Sequence, residues 1–411
     1  MRRARAVTVT AALLAVLTSG CTGGRVEVEA SPGAGASRAA APGADPSSST
    51  GGSGAGDEPT GQAGDDVALD TGWTRLEDRS ALVLYGCVLN ELTGLVAVDP
   101  ASGEELGRFT LPAASGAAPL PQVGCGGGGF GSSRAADRAL FDAALHTAAS
   151  TLRDPATDAV RAGTLDLTSL AWNDAGEDQG EAFDRGRRES EPLFQPGTRR
   201  LWYRDRDAGI ARSLDLASGQ RREEAVPDPE YGWLVAADGQ VYSVPPNGLV
   251  LPSPDGERAV YDESATHPVL TRGPAPQFSE QRRFGDLPGW PYADDLGTTC
   301  EPELWVDARR LLCRVANYDA APVTANLVVL TFAADFASIE RTTPLLPDGD
   351  RDNSSPVLSP DGTTIAFISR QGEAAEVFTV DVEGATPARR LFASDPLADP
   401  ALDGFQLLEW R

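Results

Sequence analysis

Residues able to do chemistry are sparse in this chain of 411 residues. It has two histidines, His146 and His267, and five cysteines. Two histidines and no Gly-x-Ser-x-Gly elbow give a nucleophile–base–acid hydrolase little to work with. Each histidine is expected to be structural or exposed. Asp348-Gly349-Asp350-Arg351-Asp352-Asn353 is the best metal candidate, because alternate carboxylates in a tight loop open calcium sites. Its twelfth position is Ser359 where such loops carry a bidentate glutamate, and Asn353 stands where they carry glycine. An acidic turn between structural units is therefore expected, and no metal is assigned. Gly124-Cys125-Gly126-Gly127-Gly128-Gly129-Phe130-Gly131 suggests a phosphate cradle, but the Lys-Ser/Thr of a P-loop is missing and the chain has no lysine. A loop pinned by Cys125 is expected. No catalytic residue and no cofactor are assigned.

Four cysteines follow Cys21: Cys87, Cys125, Cys300 and Cys313. In an exported chain this even number reads as two disulfides, with three possible connectivities. Cys87–Cys125 and Cys300–Cys313 are favoured, as bridges between neighbouring units. Zinc is disfavoured, since no Cys-x-x-Cys occurs. The arginine pairs Arg199-Arg200, Arg221-Arg222 and Arg282-Arg283 read as solvated surface. Trp202 and Trp305 fall in or beside strand patterns and read as packing residues. The segment from Thr271 to Thr299, rich in proline and aromatic residues, reads as an ordered rim loop and a plausible recognition surface.

The elements that position these residues are marked by a turn. Ser253-Pro254-Asp255-Gly256 recurs as Ser359-Pro360-Asp361-Gly362, each followed two residues later by an apolar strand (Ala259-Val260-Tyr261; Ile365-Ala366-Phe367). Proline presets φ at the second position, aspartate suits the third, and glycine accepts the positive φ that leads back into a strand. Weaker copies centre on Pro196 and Val306. The markers Pro196, Pro254, Val306 and Pro360 are 58, 52 and 54 residues apart. Stepping back by the same period reaches Ala139-Leu140-Phe141 and Ala81–Tyr85, although Ser133–Leu152 also fits helical spacing, so a helix inserted there is an alternative. Short strands joined by Asp/Gly turns at this period predict four-stranded propeller blades. Residues 69–411 then hold six blades, with seven as the alternative. Phe405–Trp410 is expected to complete the first blade and close the ring.

The pattern Pro356-x-x-Ser359-Pro360-Asp361-Gly362-x-x-Ile365-Ala366-Phe367, followed by Val377-x-x-Val380-Asp381-Val382-x-Gly384, resembles the TolB-type propeller repeat, and more loosely WD-type and quinoprotein-type blades. The match is strong over residues 352–394, fair over 190–222 and 249–262, and weak before residue 180. The resemblance implies an all-β propeller with an interaction or scaffold role and names no partner, since propellers host many functions.

The N-terminus carries Arg2, Arg3 and Arg5, an apolar run Ala6–Leu17, and Leu17-Thr18-Ser19-Gly20-Cys21. This resembles a bacterial lipoprotein signal, with Thr18 where such signals prefer leucine. Residues 1–20 are expected to be a signal peptide and Cys21 the lipidated residue. Residues 21–68, rich in Gly, Ala, Ser, Pro and Asp, are expected to be a disordered linker spanning roughly 35–40 Å. The chain carries 60 acidic side chains against 35 basic ones, a net charge of −25. That excludes nucleic acid as a partner and leaves a lipid anchor as the membrane contact. The expectation is an extracytoplasmic, membrane-anchored, monomeric, non-enzymatic binding or scaffold module for a protein, peptide or cell-wall ligand. The alternative is an extracellular propeller lyase or hydrolase acting on a polymer through a central channel. Acids and arginines ringing the channel mouth would favour the enzyme, and an aromatic face the binder.

Overall fold

The strands are short, and most alternate between side chains that feed two different apolar layers. The computed structural model describes residues 73, 76 and 79–411, except 89–90, 112–120, 126–136, 155–157, 177–187, 227–231, 245–248, 263–267, 274–280, 293–297, 318–323, 373 and 394–404. Residues 1–20 and 21–68, for which a signal peptide and a linker are expected, and His267 lie outside the described residues. By internal contact, residues 66–411 form one unit.

In chain order the strands are β1 (Leu82–Val88), β2 (Glu91–Val98) and β3 (Glu105–Thr110); β4 (Pro121–Gln122), β5 (Thr147–Arg153), β6 (Val160–Asp166) and β7 (Trp172–Asp174); β8 (Glu189–Phe194), β9 (Arg200–Asp205), β10 (Ile210–Asp215) and β11 (Arg221–Ala225); β12 (Gly232–Val235) and β13 (Val241–Val244); β14 (Leu249–Pro252), β15 (Arg258–Asp262), β16 (Pro268–Arg272) and β17 (Arg282–Arg283); β18 (Thr298–Trp305), β19 (Arg310–Asn317), β20 (Thr324–Phe332) and β21 (Ile339–Pro344); β22 (Asp352–Leu358), β23 (Thr364–Gln371), β24 (Ala374–Asp381) and β25 (Arg389–Ala393); and β26 (Gln406–Trp410). Each group is an antiparallel meander. β12–β13 is a two-stranded sheet, and β18–β21 touches β22–β25 through one parallel pairing, Ala325 with Asp352. β26 pairs with β1, so the C-terminal strand takes the inner position of the first sheet. The part of the expectation that adds the C-terminal strand to the first sheet is met.

Period-two alternation sends neighbouring side chains of one strand to opposite faces. Leu82 and Leu84 join one cluster with Val357, Ala366, Ile368 and Leu407, while Val83 and Tyr85 join another with Phe141, Ala148 and Leu165. Ile365 and Phe367 face Leu312, Leu327 and Val329, away from Ala366 and Ile368. Among the described residues there are seven such clusters, each fed by two successive sheets. β22–β25 and β1–β3 share the one that returns to the start. The arrangement is all-β and propeller-like.

The last inner-strand residues before the first turn of each meander are Phe141, Phe194, Pro252, Trp305, Leu358 and Trp410, at steps of 53, 58, 53, 53 and 52 residues. The long step holds the extra pair β12–β13, which a mean period of 55 hides. The inserted helix is reduced to a helical turn at Asp137 and Arg138 among the described residues, and β5 starts at Thr147. Ala139–Phe141 instead holds the inner position, with Phe141 bridged to Ala148 and Phe194 N–H donating to the Ala139 carbonyl at 2.6 Å.

Both favoured disulfides are present. Cys87–Cys125 ties β1 to the segment after β4, joining neighbouring sheets. Cys300–Cys313 does not join neighbouring units. Cys300 lies within β18 opposite Val315, and Cys313 lies in β19 opposite Pro302, so the bridge is a diagonal link within one sheet.

Candidate functional site

The repeat turns build a scaffold. In the first copy Ser253 N–H donates to the Arg258 carbonyl at 2.8 Å and Gly256 N–H to the Ser253 carbonyl at 2.9 Å, with Gly256 at φ 70°. Ser253 Oγ donates to Asp255 Oδ1 at 2.6 Å, and Glu257 N–H reaches the same oxygen at 3.0 Å. Ser359, Asp361, Gly362 and Thr364 repeat this geometry, with Gly362 at φ 72°. The serine hydroxyl is the main reason that both the Asp255 and Asp361 carboxyls sit below the usual carboxylate range. Pro254 and Pro360 complete these turns.

Inner strands are bulged at one repeat position. Register shifts fall between Ser190 and Leu193 in β8, Pro302 and Leu304 in β18, and Ser354 and Val357 in β22, and opposite Val83 and Leu84 in β26. Glu191 and Ser355, each at φ 53°, occupy the bulges of β8 and β22. A bulge leaves one residue unpaired and re-aims its side chain. Glu303, Pro356 and Leu408 are the residues passed over in their ladders, and all three line one cavity of about 320 Å³. Its wall is completed by Leu251, Pro252 and Pro254 from the β14 end, Leu304 and Trp305 from β18, Val357 and Leu358 from β22, Glu409 and Trp410 from β26, and Arg138. Inner strands of four sheets thus converge on one mostly apolar space.

Two of its charged groups, Arg138 and Glu409, are engaged in structure. Arg138 Nε donates to Glu409 Oε2, while its other nitrogens reach the carbonyls of Phe141 (2.9 Å), Asp142 (3.0 Å) and Ala143 (3.2 Å). Arg411 Nε lies 3.0 Å from Glu409 Oε1, and Arg411 also donates to the Ala143 carbonyl at 2.7 Å and the Ala144 carbonyl at 3.1 Å. The C-terminal strand clasps the turn before β5. Trp305 Nε1 donates to the Leu251 carbonyl at 2.9 Å, which fixes the indole against the cavity.

The acidic stretch at 348–353 is dispersed. Asp350 accepts from Gln371 at 2.8 Å, Asp352 lies on β22 and accepts from Arg314 at 2.9 Å, and Asn353 is buried against Ser369 and the Ala325 carbonyl. Among the described residues no group of three His, Cys, Asp or Glu side chains lies close enough to hold a metal. His146 sits in the turn before β5, its backbone N–H donating to Asp142 Oδ1 at 2.8 Å.

The arginine pairs are not uniformly solvated. Arg200 is buried on Asp215 (3.1 Å) and Ser213 (3.2 Å), and Arg221 donates to the Gly176 carbonyl at 2.9 Å. The rim loop is also revised. Of its described part, Phe284 is fully buried, Trp290 meets Phe284 edge-on at 5.7 Å, and Tyr292 meets Trp290 at 5.3 Å. Gly289, at φ 85°, lets the backbone pass so close to the Ile339 carbonyl that a Cβ would stand 2.2 Å from it. These aromatics form a strap packed on the protein. Arg138 escaped the sequence reading, and Glu303, Glu409 and Trp410 entered it only as parts of repeat strands with no site role, although all lie within three residues of the inner-strand phase that marks the turns.

No protein-family model matches the chain, and no curated protein matches it. Solved structures overlay on it weakly. TolB from Acinetobacter baumannii does so at a TM-score of 0.32 and 16% identity, over 75% of this chain and 67% of that one. A protein from Lactobacillus plantarum gives 0.40 and 12%, over 76% and 96%. An oligogalacturonate lyase in complex with manganese gives 0.37 and 13%, over 63% and 75%. At these levels no substrate, metal or partner carries over.

Proposed function

We propose that the chain is an exported lipoprotein, anchored through Cys21, whose propeller binds a protein, peptide or cell-wall ligand at the central cavity and does not catalyse a reaction. The two-stranded sheet β12–β13 counts as a reduced blade in this reading, giving seven units around the axis. The carrying observation is the cavity wall. Leu304, Trp305, Val357, Leu408 and Trp410 offer apolar surface, while Arg138 and Glu409 are locked on each other and on the turn before β5. An apolar pocket with a few fixed polar groups suits recognition of an inserted side chain. An acid–base pair for lyase or hydrolase chemistry needs groups within reach of substrate, and the hydrogen bonds of Arg138 and Glu409 point to each other and to the turn before β5. The disulfides Cys87–Cys125 and Cys300–Cys313 support an oxidising compartment.

The test is photo-crosslinking in the native envelope. A benzoylphenylalanine at position 303, in the full-length anchored chain, is compared with one at the exposed outer-strand position 224. Discrete adducts from 303 alone are expected. No adduct from 303, or the same adducts from both positions, overturns the reading. Release of fragments from an added extracellular polymer, abolished by Glu303→Gln, would replace it with the enzyme.

A further inference from the structure

The chain enters the propeller beside the central cavity. Ala81 N–H donates to the Arg411 carbonyl at 2.9 Å, and Arg411 N–H to the Ala81 carbonyl at 3.0 Å. Arg411 directly follows Trp410, which stands in the cavity wall. Upstream of Ala81, Leu76 and Trp73 are buried in the cluster that holds Leu145 and the wall residue Leu408. Trp73 Nε1 donates to the Leu145 carbonyl at 2.9 Å. Leu145 belongs to the turn that Arg138 and Arg411 grip at Asp142, Ala143 and Ala144. Entry point and cavity thus share one end of the inner strands, where those strands meet their first turns.

Upstream of Trp73, bulky apolar side chains are nearly absent. Between Val28 and Trp73 the chain carries Val67 and Leu69 and no other Val, Ile, Leu, Met, Phe, Tyr or Trp. Leu69 precedes Trp73 by four residues and Val67 by six. At about 3.3–3.6 Å per extended residue, Leu69 reaches roughly 13–14 Å from Trp73 and Val67 roughly 20–22 Å. Trp73 packs in the same cluster as Leu408, so this reach takes both side chains to the cavity. The wall suits them. Leu304, Trp305, Val357 and Leu408 are apolar, and Pro252 and Pro356 have no N–H to offer a polar ligand. A volume of about 320 Å³ is at the small end of ligand pockets and matches two branched side chains.

We propose that Val67-Ala68-Leu69 seats its two branched side chains in the central cavity, an autoinhibitory contact that a partner must displace. Burying Val67 and Leu69 there removes apolar surface from water on both sides of the contact. A segment tied to the propeller at Trp73 is presented to the cavity at roughly millimolar effective concentration, so weak docking suffices to fill it. Tight closure would exclude every partner, and a two-side-chain contact leaves the cavity open to a stronger ligand. As regulation, the contact rests on the cavity being the binding site proposed above; the seat itself does not.

The experiment places benzoylphenylalanine at position 69 of the full-length anchored chain, with position 60 as the control. After illumination, digestion and mass spectrometry should map an intramolecular adduct from 69 to Trp305, Leu408 or Trp410, about fivefold or more above that from 60. Adducts from 69 confined to residues outside the wall overturn the proposal, and so does equal labelling of the wall from 60. In the native envelope, Val67→Asp combined with Leu69→Asp should raise partner capture by the probe at 303 about twofold or more. Unchanged capture by that variant, with an unchanged far-UV spectrum, removes the autoinhibition. The two readings fail separately. Labelling of the wall from 69 with no partner captured from 303 keeps the seat and removes the binding function. A partner captured from 303 with labelling elsewhere from 69 does the reverse.

Discussion

The sheet β22–β25 and the two-stranded sheet β12–β13 hold equivalent places between neighbours and hold them differently. β22–β25 packs Ile365, Phe367 and Val380 on one side and Val357, Ala366, Ile368 and Val377 on the other. Polar links reinforce both sides: Arg314 reaches Asp352 at 2.9 Å, and Arg370 donates to the Phe405 carbonyl at 2.9 Å. β12–β13 offers Trp233 and Val235 to one neighbour and Leu234 and Val244 to the other. A side-chain bond from Gln195 to the Ala237 carbonyl, at 2.9 Å, reaches its turn. Two strands thus suffice to continue the apolar layers, because alternation already gives each strand two faces. Four strands add the depth that resists opening. Local stability should follow that depth.

The largest effect tests closure beside β22–β25. Removing residues 403–411 strips Phe405, Leu407 and Leu408 from two clusters and the clasp from Arg138. At about 1.5–3 kcal/mol for each buried apolar side chain, the melting temperature should fall by roughly 10 °C or more, or the cooperative transition should vanish. An unchanged melting temperature would break the view that this side locks the ring. Hydrogen exchange sharpens the same contrast. Amides of residues 233–235 and 241–244 should exchange well before those of 365–369 and 376–380, and equal protection would remove the distinction.

Next in size is a pair of core truncations. Phe332 is fully buried and meets Phe284, Trp305 and Phe336 at ring-centroid distances of 5.6, 5.9 and 5.6 Å. Phe332→Ala should cost about 3–5 kcal/mol in denaturant unfolding. Val250→Ala, in the thin cluster beside β12–β13, should cost about 1–2 kcal/mol. Equal losses would mean that the small cluster is as consequential as the aromatic one. A third change probes the strap. Gly289→Ala puts a Cβ against the Ile339 carbonyl at a φ of 85°, and should cost about 1–3 kcal/mol.

Much of β22–β25 was legible in the chain because its signals are local. The Ser359–Gly362 turn, the Val377–Asp381 strand and the Asp381 turn each declare themselves within a few residues. The closing strand and the Cys87–Cys125 bridge were legible for related reasons, one by arithmetic on the repeat and the other by cysteine count. β12–β13 was hidden because its turn, Ala236-Ala237-Asp238-Gly239, lacks the Ser-Pro half of the motif. Asp238-Gly239 ahead of Val241-Tyr242-Ser243-Val244 was the usable trace, with Gly239 at φ 84°. The central cavity was not legible. Which residue of an inner strand is passed over depends on the neighbouring strand.

The smallest effect concerns the turn that β22–β25 has and β12–β13 lacks. Asp361 is held below the usual carboxylate range first by the Ser359 hydroxyl, then by the Thr363 N–H and hydroxyl. A carboxyl whose folded value lies below its unfolded one stabilises the fold above about pH 4, and that contribution is lost as pH falls through the folded value. Ser359→Ala should therefore raise the Asp361 titration midpoint, read by carbon NMR of the carboxyl, and flatten the loss of stability on acidification. Asp255, still bonded to Ser253 in the same molecule, should titrate as before. If Asp361 also keeps its midpoint, the serine is not what holds the carboxylate, and the Ser-Pro half of the motif acts through backbone geometry alone.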